Sequence, residues 1–342
     1  MKNITIGRTG ITVPQNGFGA LPIQRVSKQE AMALLRRACD GGITYYDTAR
    51  AYSDSEEKIG AAFAGMRHKI YIATKTMATT PQEFWEQLHT SLRLLGSDYI
   101  DLYQFHCAER CFVPGDENGM YECMQQARAQ GKILHIGITA HKIGVAEEAV
   151  SSGLYETLQF PFSYLSSARE RQLVERCKAA GMGFIAMKGL AGGLINNSRA
   201  AMAYMSQFDN VLPIWGIQRE RELDEWLSYM EETPAMNDEI AAFIDHEQKE
   251  LTGDFCRGCG YCMPCPQGIM INQCARMSLM LRRAPSRFWL TPEMQAEMKK
   301  IEKCVECGAC RKRCPYELDT PNLLKRNYED YQQILAGEVK VQ

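Results

Sequence analysis

Eight times between Asn16 and Met230, a short apolar or β-branched run gives way to an amphipathic stretch. The pairs are "NGFGA" and "SKQEAMALLRRACDG", "ITYYDTA" and "SEEKIGAAFAG", "KIYIATK" and "PQEFWEQLHTSLRLLG", and "IDLYQFH" and "MYECMQQARAQG". They continue with "ILHIGIT" and "GVAEEAVSSG", "ETLQFPF" and "ARERQLVERCKAAG", "MGFIAMK" and "SRAAMAYMSQF", and "VLPIWGI" and "RERELDEWLSYM". Most of the helical stretches end on Gly, as helix C-termini prefer. The strands are too apolar to alternate cleanly, which is expected when helices cover both faces of a parallel sheet. Eight such units predict an α/β fold of the (β/α)8 TIM-barrel type. A doubly wound open sheet has a similar pattern, but no GxGxxG follows the first strand.

The rest of the chain has a different texture. "ITIGRTGITVPQ" before the first unit reads as a hairpin. Residues 1–230 are expected to form the barrel and 231–255 a connector with one polar helix in "MNDEIAAFIDHEQKEL". Residues 256–342 are expected to form a small C-terminal module. Within it "GIMINQCARMSLMLRR" and "TPEMQAEMKKIEK" read as helices, and the polar stretch after Pro321 is expected to wrap or fray.

Eight of the fourteen cysteines lie in two runs, "CRGCGYCMPC" from Cys256 and "CVECGACRKRC" from Cys304. Each is C-x2-C-x2-C followed by a cysteine before proline, Cys265 and Cys314. Three thiolates at this spacing wrap one cubane, and in two-cluster ferredoxins the proline-linked cysteine ligates the other cluster. This assigns Cys256, Cys259, Cys262 and Cys314 to one [4Fe–4S] centre, and Cys304, Cys307, Cys310 and Cys265 to a second. Zinc is the rival reading, since paired CxxC motifs also bind it. The first run has two residues before Cys265 where bacterial ferredoxins have three, so the fourth ligands rest on less than the first three. The other cysteines read as small hydrophobes, with Cys274 a spare ligand at most.

Clustered thiols suit a reducing compartment. With no apolar run near the roughly 20 residues of a bilayer span and no signal-peptide layout in "MKNITIGRTG", a cytoplasmic location is expected. A formal charge of −2 argues against bulk nucleic-acid binding.

In a (β/α)8 barrel the chemistry sits at the C-terminal ends of the strands. Those positions hold Asp47, Lys75 and His106, with Tyr52 in the loop after Asp47. A tyrosine hydroxyl, with a pKa near 10, exchanges protons slowly at neutral pH. A nearby ammonium, itself held by a carboxylate, is expected to lower that value and make Tyr52 a usable acid or base. His106 would orient a substrate carbonyl.

"GGITYYDTARAYSDSEEKIG", "IATK" and "DLYQFH" resemble the aldo/keto reductase family, whose Asp, Tyr, Lys and His tetrad falls here on Asp47, Tyr52, Lys75 and His106. The resemblance covers about residues 3–230 and implies hydride transfer between NADP(H) or NAD(H) and a small carbonyl or alcohol substrate. It places Thr139 of "HIGITAH" and Gln159 of "ETLQFPFSY" on the nicotinamide carboxamide. Met187 stands where the family often stacks an aromatic ring. "PIWGIQRERELDEW" resembles the 2′-phosphate segment, with Gly216 offering a backbone amide and Arg219 or Arg221 a guanidinium; Gly19 in the first strand joins the candidate cofactor contacts. Residues 256–320 resemble two-cluster ferredoxins, so the C-terminal module is expected to be an α-helical, ferredoxin-like iron–sulfur domain.

Hydride moves two electrons together and a [4Fe–4S] centre passes one. The clusters are therefore expected either to brace the module or to relay electrons to a redox protein partner. A third reading is a nicotinamide-binding redox sensor or electron-transfer module without carbonyl turnover. The sequence predicts neither a nucleic-acid nor a membrane partner.

Overall fold

The computed structural model describes residues 1–251, 255–283 and 286–341. Residues 252–254 of the expected connector, and 284–285 and 342 of the expected C-terminal module, lie outside the described residues. The chain forms two compact units, one of residues 1–189 and 199–240, the other of residues 190–198 and 241–342.

In the first unit an antiparallel hairpin, β1 (Asn3–Thr5) with β2 (Thr12–Pro14), precedes eight parallel strands. These are β3 (Gly17–Gly19), β4 (Tyr45–Asp47), β5 (Tyr71–Thr76), β6 (Ile100–Phe105), β7 (Ile133–Thr139), β8 (Thr157–Pro161), β9 (Gly183–Met187) and β10 (Val211–Gly216). They pair in chain order, and β10 returns to β3 to close the barrel, Gly216 opposite Gly19. The helices α1 (Lys28–Asp40), α2 (Ser55–Ala62), α3 (Pro81–Leu95), α4 (Met120–Ala129), α5 (Ile143–Ser152), α6 (Ala168–Ala179), α7 (Ser198–Met205) and α8 (Glu220–Glu231) follow successive strands.

Local chemistry explains the helix ends. Ser27 with Glu30 and Ser167 with Glu170 form capping boxes on α1 and α6. On α3, Thr80 caps and Pro81 opens the first turn, where a missing N–H costs nothing. Gly96 ends that helix at φ 59°, a left-handed conformation that needs no Cβ penalty only for glycine.

The hairpin seals one end of the barrel. Its Ile4, Ile6, Ile11 and Val13 are buried with Tyr45, Leu102, Ile185 and Leu212, each such side chain contributing roughly 1.5–3 kcal/mol over exposure. A Cβ on Gly7 would lie 2.1 Å from the amide nitrogen of Gly183, where β9 begins. The N-terminal ends of the strands are thus plugged, leaving the C-terminal ends as the mouth.

The second unit is helical: most of α9 (Asp238–Glu250), then α10 (Ile271–Cys274), α11 (Met277–Arg283), α12 (Pro292–Lys299), α13 (Ala309–Lys312) and α14 (Thr320–Leu335). Arg283, paired with Glu247, also donates Nε to the Leu194 carbonyl at 2.6 Å. Its core gathers Ile269, Met277, Leu281, Met298, Leu324 and Tyr331. The expectation of a wrapping or fraying tail fails here. After Pro321 the chain is a 16-residue helix whose Leu323, Leu324, Tyr331 and Ile334 form one buried stripe; helical spacing of few apolar residues outweighs polar composition. No described helix is long and apolar enough to cross a membrane.

Candidate active site and cysteine hollows

The three strand-end residues and the loop tyrosine come together at the barrel mouth. Asp47 ends β4 and Lys75 is the next-to-last residue of β5, so neighbouring parallel strands present them side by side. Both are buried, and Lys75 Nζ donates to Asp47 Oδ1 at 2.6 Å and to the Thr48 carbonyl at 2.6 Å. The ammonium also lies 5.3 Å from the centroid of the Tyr52 ring. Tyr52 meets His106 edge to face, with ring centroids 5.6 Å apart.

Burial governs the electrostatics. It pushes Asp47 above the ordinary carboxylate value, with the Lys75 ammonium pulling the other way. His106 falls to about 3, because burial and the charge of Lys75 both oppose the imidazolium, so the ring is neutral. The expected lowering of Tyr52 does not occur. Burial first, then the charges of Asp47 and Cys107, raise the phenol well above its ordinary value, since Lys75 is committed to Asp47. Tyr52 is therefore a phenol, not a phenolate, throughout the physiological range.

The expected carboxamide contacts are engaged with the protein. Gln159 Nε2 lies 3.4 Å from Asp47 Oδ1, and Gln159 Oε1 accepts from Gln104 Nε2 at 3.2 Å. Thr139 Oγ1 accepts the Cys107 amide at 2.7 Å, holding that residue at φ 51° just after His106. Met187 ends β9 half-buried, and its carbonyl accepts from the Phe162 amide. Gly19 and Gly216 end paired strands, and Arg219, the N-cap of α8, is solvent-exposed and only 3.8 Å from Glu222. Trp215 stacks on Trp226, Phe112 tilts against Phe105, and Phe162 and Tyr164 meet Phe184 and Tyr204 edge to face.

Gln104 was not among the expected residues. The signal was present: in "DLYQFH" it is a polar residue of the strand two residues before His106, so the alternation of a strand puts both on one face. Asp47 Oδ2, His106 Nδ1 and Gln104 Oε1 are buried with no partner among the described residues. Orphaned buried groups in a mouth are costly unless a ligand completes them. A nicotinamide carboxamide and a carbonyl substrate carry the complementary donors and acceptors, so the residues present fit a nicotinamide cofactor.

The eight cysteines of the second unit sort into two groups. Cys256, Cys259, Cys262 and Cys314 ring one hollow. Cys265, Cys304, Cys307 and Cys310 ring another, and Ile271 lines both. Each hollow thus takes three cysteines from one run and the proline-linked cysteine of the other. Gly258 donates its amide to Cys256 Sγ at 3.4 Å.

Four-coordinate zinc needs every sulfur about 2.3 Å from one centre. Three thiols of one run with the proline-linked thiol of the other, ringing one hollow, match the donor set of a [4Fe–4S] cube. Burial raises the Cys256, Cys262 and Cys310 thiols, Cys262 to about 12, and a bound metal would reverse that by deprotonating them. Cys274 is buried in the core and lines neither hollow.

A closed parallel barrel with ionisable groups at its mouth is a scaffold that hosts many chemistries, and the sequence narrows the class. Residues 15–213 match the aldo/keto reductase family, and the chain belongs to that family. Residues 255–319 match the 4Fe-4S dicluster domain. Among curated proteins the chain is 29% identical over 197 residues to the aldo-keto reductase YhdN of Bacillus subtilis, covering 52% of this chain and 59% of that one. It is 25% identical over 230 residues to the NADH-specific methylglyoxal reductase of Escherichia coli, covering 58% and 70%. The chain therefore spans about 60% of the length of curated relatives such as YhdN. An aldo-keto reductase from Klebsiella pneumoniae solved with NADPH shares the fold at TM-score 0.61 and 22% identity, over 72% of this chain and 95% of that one.

Proposed function

We propose that this protein is a nicotinamide-dependent oxidoreductase acting on a small carbonyl or alcohol compound, and that its eight clustered cysteines hold two [4Fe–4S] clusters. The observation that carries the reading is the buried Lys75–Asp47 pair beside Tyr52 and neutral His106 at the open end of the barrel. The nicotinamide, when bound, supplies or accepts the hydride.

Tyr52 is the proton donor to the substrate oxygen. Its raised pKa keeps the proton on the phenol at neutral pH, the form that carbonyl reduction uses. His106, uncharged and with a ring nitrogen awaiting a partner, holds the same oxygen in line. Lys75 and Asp47 fix a dipole at the base of the site without competing for that oxygen. Gln159 and Thr139 would hold the carboxamide, with Gln104 setting which way the Gln159 amide points. Met187, Gly19, Gly216 and Arg219 would line the rest of the cofactor.

Relatives and fold neighbours include both an NADH-specific enzyme and an NADPH complex. Arg219 has only a weak carboxylate contact, which leaves it able to meet a 2′-phosphate, and NADPH is the cofactor proposed first. The clusters either brace the second unit or pass electrons to a redox protein; exposed Cys307 favours the second role.

The test is anaerobic purification, then a panel of small aldehydes and ketones assayed with each nicotinamide. Tyr52→Phe is expected to lower kcat by about 10²–10⁴-fold while nicotinamide binding, read by fluorescence, is retained. Full turnover by the variant, or none by the parent on any carbonyl, would refute the reading.

A further inference from the structure

The two cysteine hollows are not equivalent, and one arginine makes the difference. Arg276 follows α10 and lays its guanidinium between two glycine backbones. A Cβ on Gly258 would sit 2.7 Å from its Nη1, and one on Gly192 would sit 3.0 Å from it. Gly258 lies between Cys256 and Cys259 and donates its own amide to Cys256 Sγ. Nη1 is anchored on the Gly192 carbonyl at 2.5 Å. Nε is buried with no partner among the described residues.

Arg276 is partly buried, and a cation with an unpartnered buried Nε calls for an anion to face it. No carboxylate pairs with Arg276 among the described residues, and its electrostatic partner there is Cys256. The hollow of Cys265, Cys304, Cys307 and Cys310 is lined by Arg313 in its place. Its basic neighbours are exposed: Arg313 spans the Met263 and Pro264 carbonyls, and Lys325 is paired with Glu306. Water screens these charges far more than it screens Arg276.

Resting on the iron–sulfur reading above, we infer that Arg276 is a positioning and tuning residue for one cluster only, the one held by Cys256, Cys259, Cys262 and Cys314. Four thiolates make a [4Fe–4S] centre anionic, and one-electron reduction adds a further negative charge. A fixed, partly buried cation stabilises the reduced form more than the oxidised one, so it raises the reduction potential of its own cluster. The second cluster lies outside this influence. Gly258 and Gly192 are then required twice over, for left-handed backbone at φ +67° and +68° and for the space the guanidinium fills.

The experiment is a redox titration of the full-length, anaerobically purified protein, with cluster signals followed by electron paramagnetic resonance. Parent protein must first carry about eight iron atoms per chain, four for each cluster. Zinc or fewer irons there would refute the cofactor reading itself, independently of Arg276. Arg276→Gln is expected to make one cluster at least about tenfold harder to reduce, a drop of about 59 mV for a one-electron couple, and to leave the other unmoved. Arg276→Lys, which keeps the charge, is expected to restore most of that drop. Unchanged titration in Arg276→Gln, equal shifts of both clusters, or equal effects of Lys and Gln would each overturn the inference. So would iron loss from either variant, because Arg276 would then be a brace.

Discussion

The barrel mouth and the cysteine hollows organise reactive side chains in opposite ways. At the mouth, Asp47, Lys75, Gln104 and Gln159 come from four different strands of one closed sheet, and they hold one another by hydrogen bonds and an ion pair. In the hollows the thiols stand on loops and short helical turns, where Gly258 donates its amide to Cys256 Sγ at the long distance of 3.4 Å. A sheet supports its site with its own backbone ladder, whereas a loop site needs the cofactor to hold its ligands in place. One region is preorganised by the fold, the other by what it binds.

Iron removal tests that contrast most severely. Anaerobic chelation is expected to abolish the cooperative unfolding of the cysteine unit and the helicity of α10–α14, leaving the barrel transition in place. Circular dichroism and calorimetry on the full chain read both. Binding of a structural metal is worth on the order of 10 kcal/mol in small metal-dependent domains, so the effect is large. Simultaneous loss of both transitions would break the comparison.

A smaller effect is expected within the barrel. Lys75→Met leaves Asp47 buried and unpaired, which costs about 3–5 kcal/mol. Denaturant unfolding should show the loss, and Asp47→Asn in the same chain should recover part of it. A variant as stable as the parent would mean that the pair is not holding the mouth together.

The smallest effect is read by pH. His106 titrates near 3 when folded, against an ordinary value of 6.5. Between these values the unfolded chain takes up a proton that the folded barrel refuses, so barrel stability falls as pH drops through that window. The slope is at most about 1.4 kcal/mol per pH unit. His106→Asn removes this share of the acid sensitivity, while His141, also held low by burial, keeps its own. Equal pH profiles for variant and parent would show that His106 is already protonated in the native mouth.

The reading of Tyr52 shows where sequence reasoning stops. Strand-end positions could be counted along the chain, and they brought Asp47, Lys75 and His106 to one rim. The direction of the phenol's shift could not be read there. It depends on how deeply the ring is buried and on whether Lys75 faces Tyr52 or Asp47, and both are properties of packing. Gln104 was missed for a related reason: a polar residue in a strand points to the barrel interior only once the register is known. The tail after Pro321 was misjudged because its apolar residues are few, although their spacing puts them on one side of a helix.

By itself, the sequence determined the eightfold alternation, the parallel sheet it demands, and the division of eight cysteines into two runs, because period, apolar content and motif spacing are local properties of a chain. Only the tertiary structure decided that Lys75 bonds Asp47 and that Gln104 reaches Gln159. It also decided that Arg276 packs against Gly258 of the first cysteine run. Those facts depend on distances between residues far apart in the chain and on the loss of water around them, and no local pattern records either.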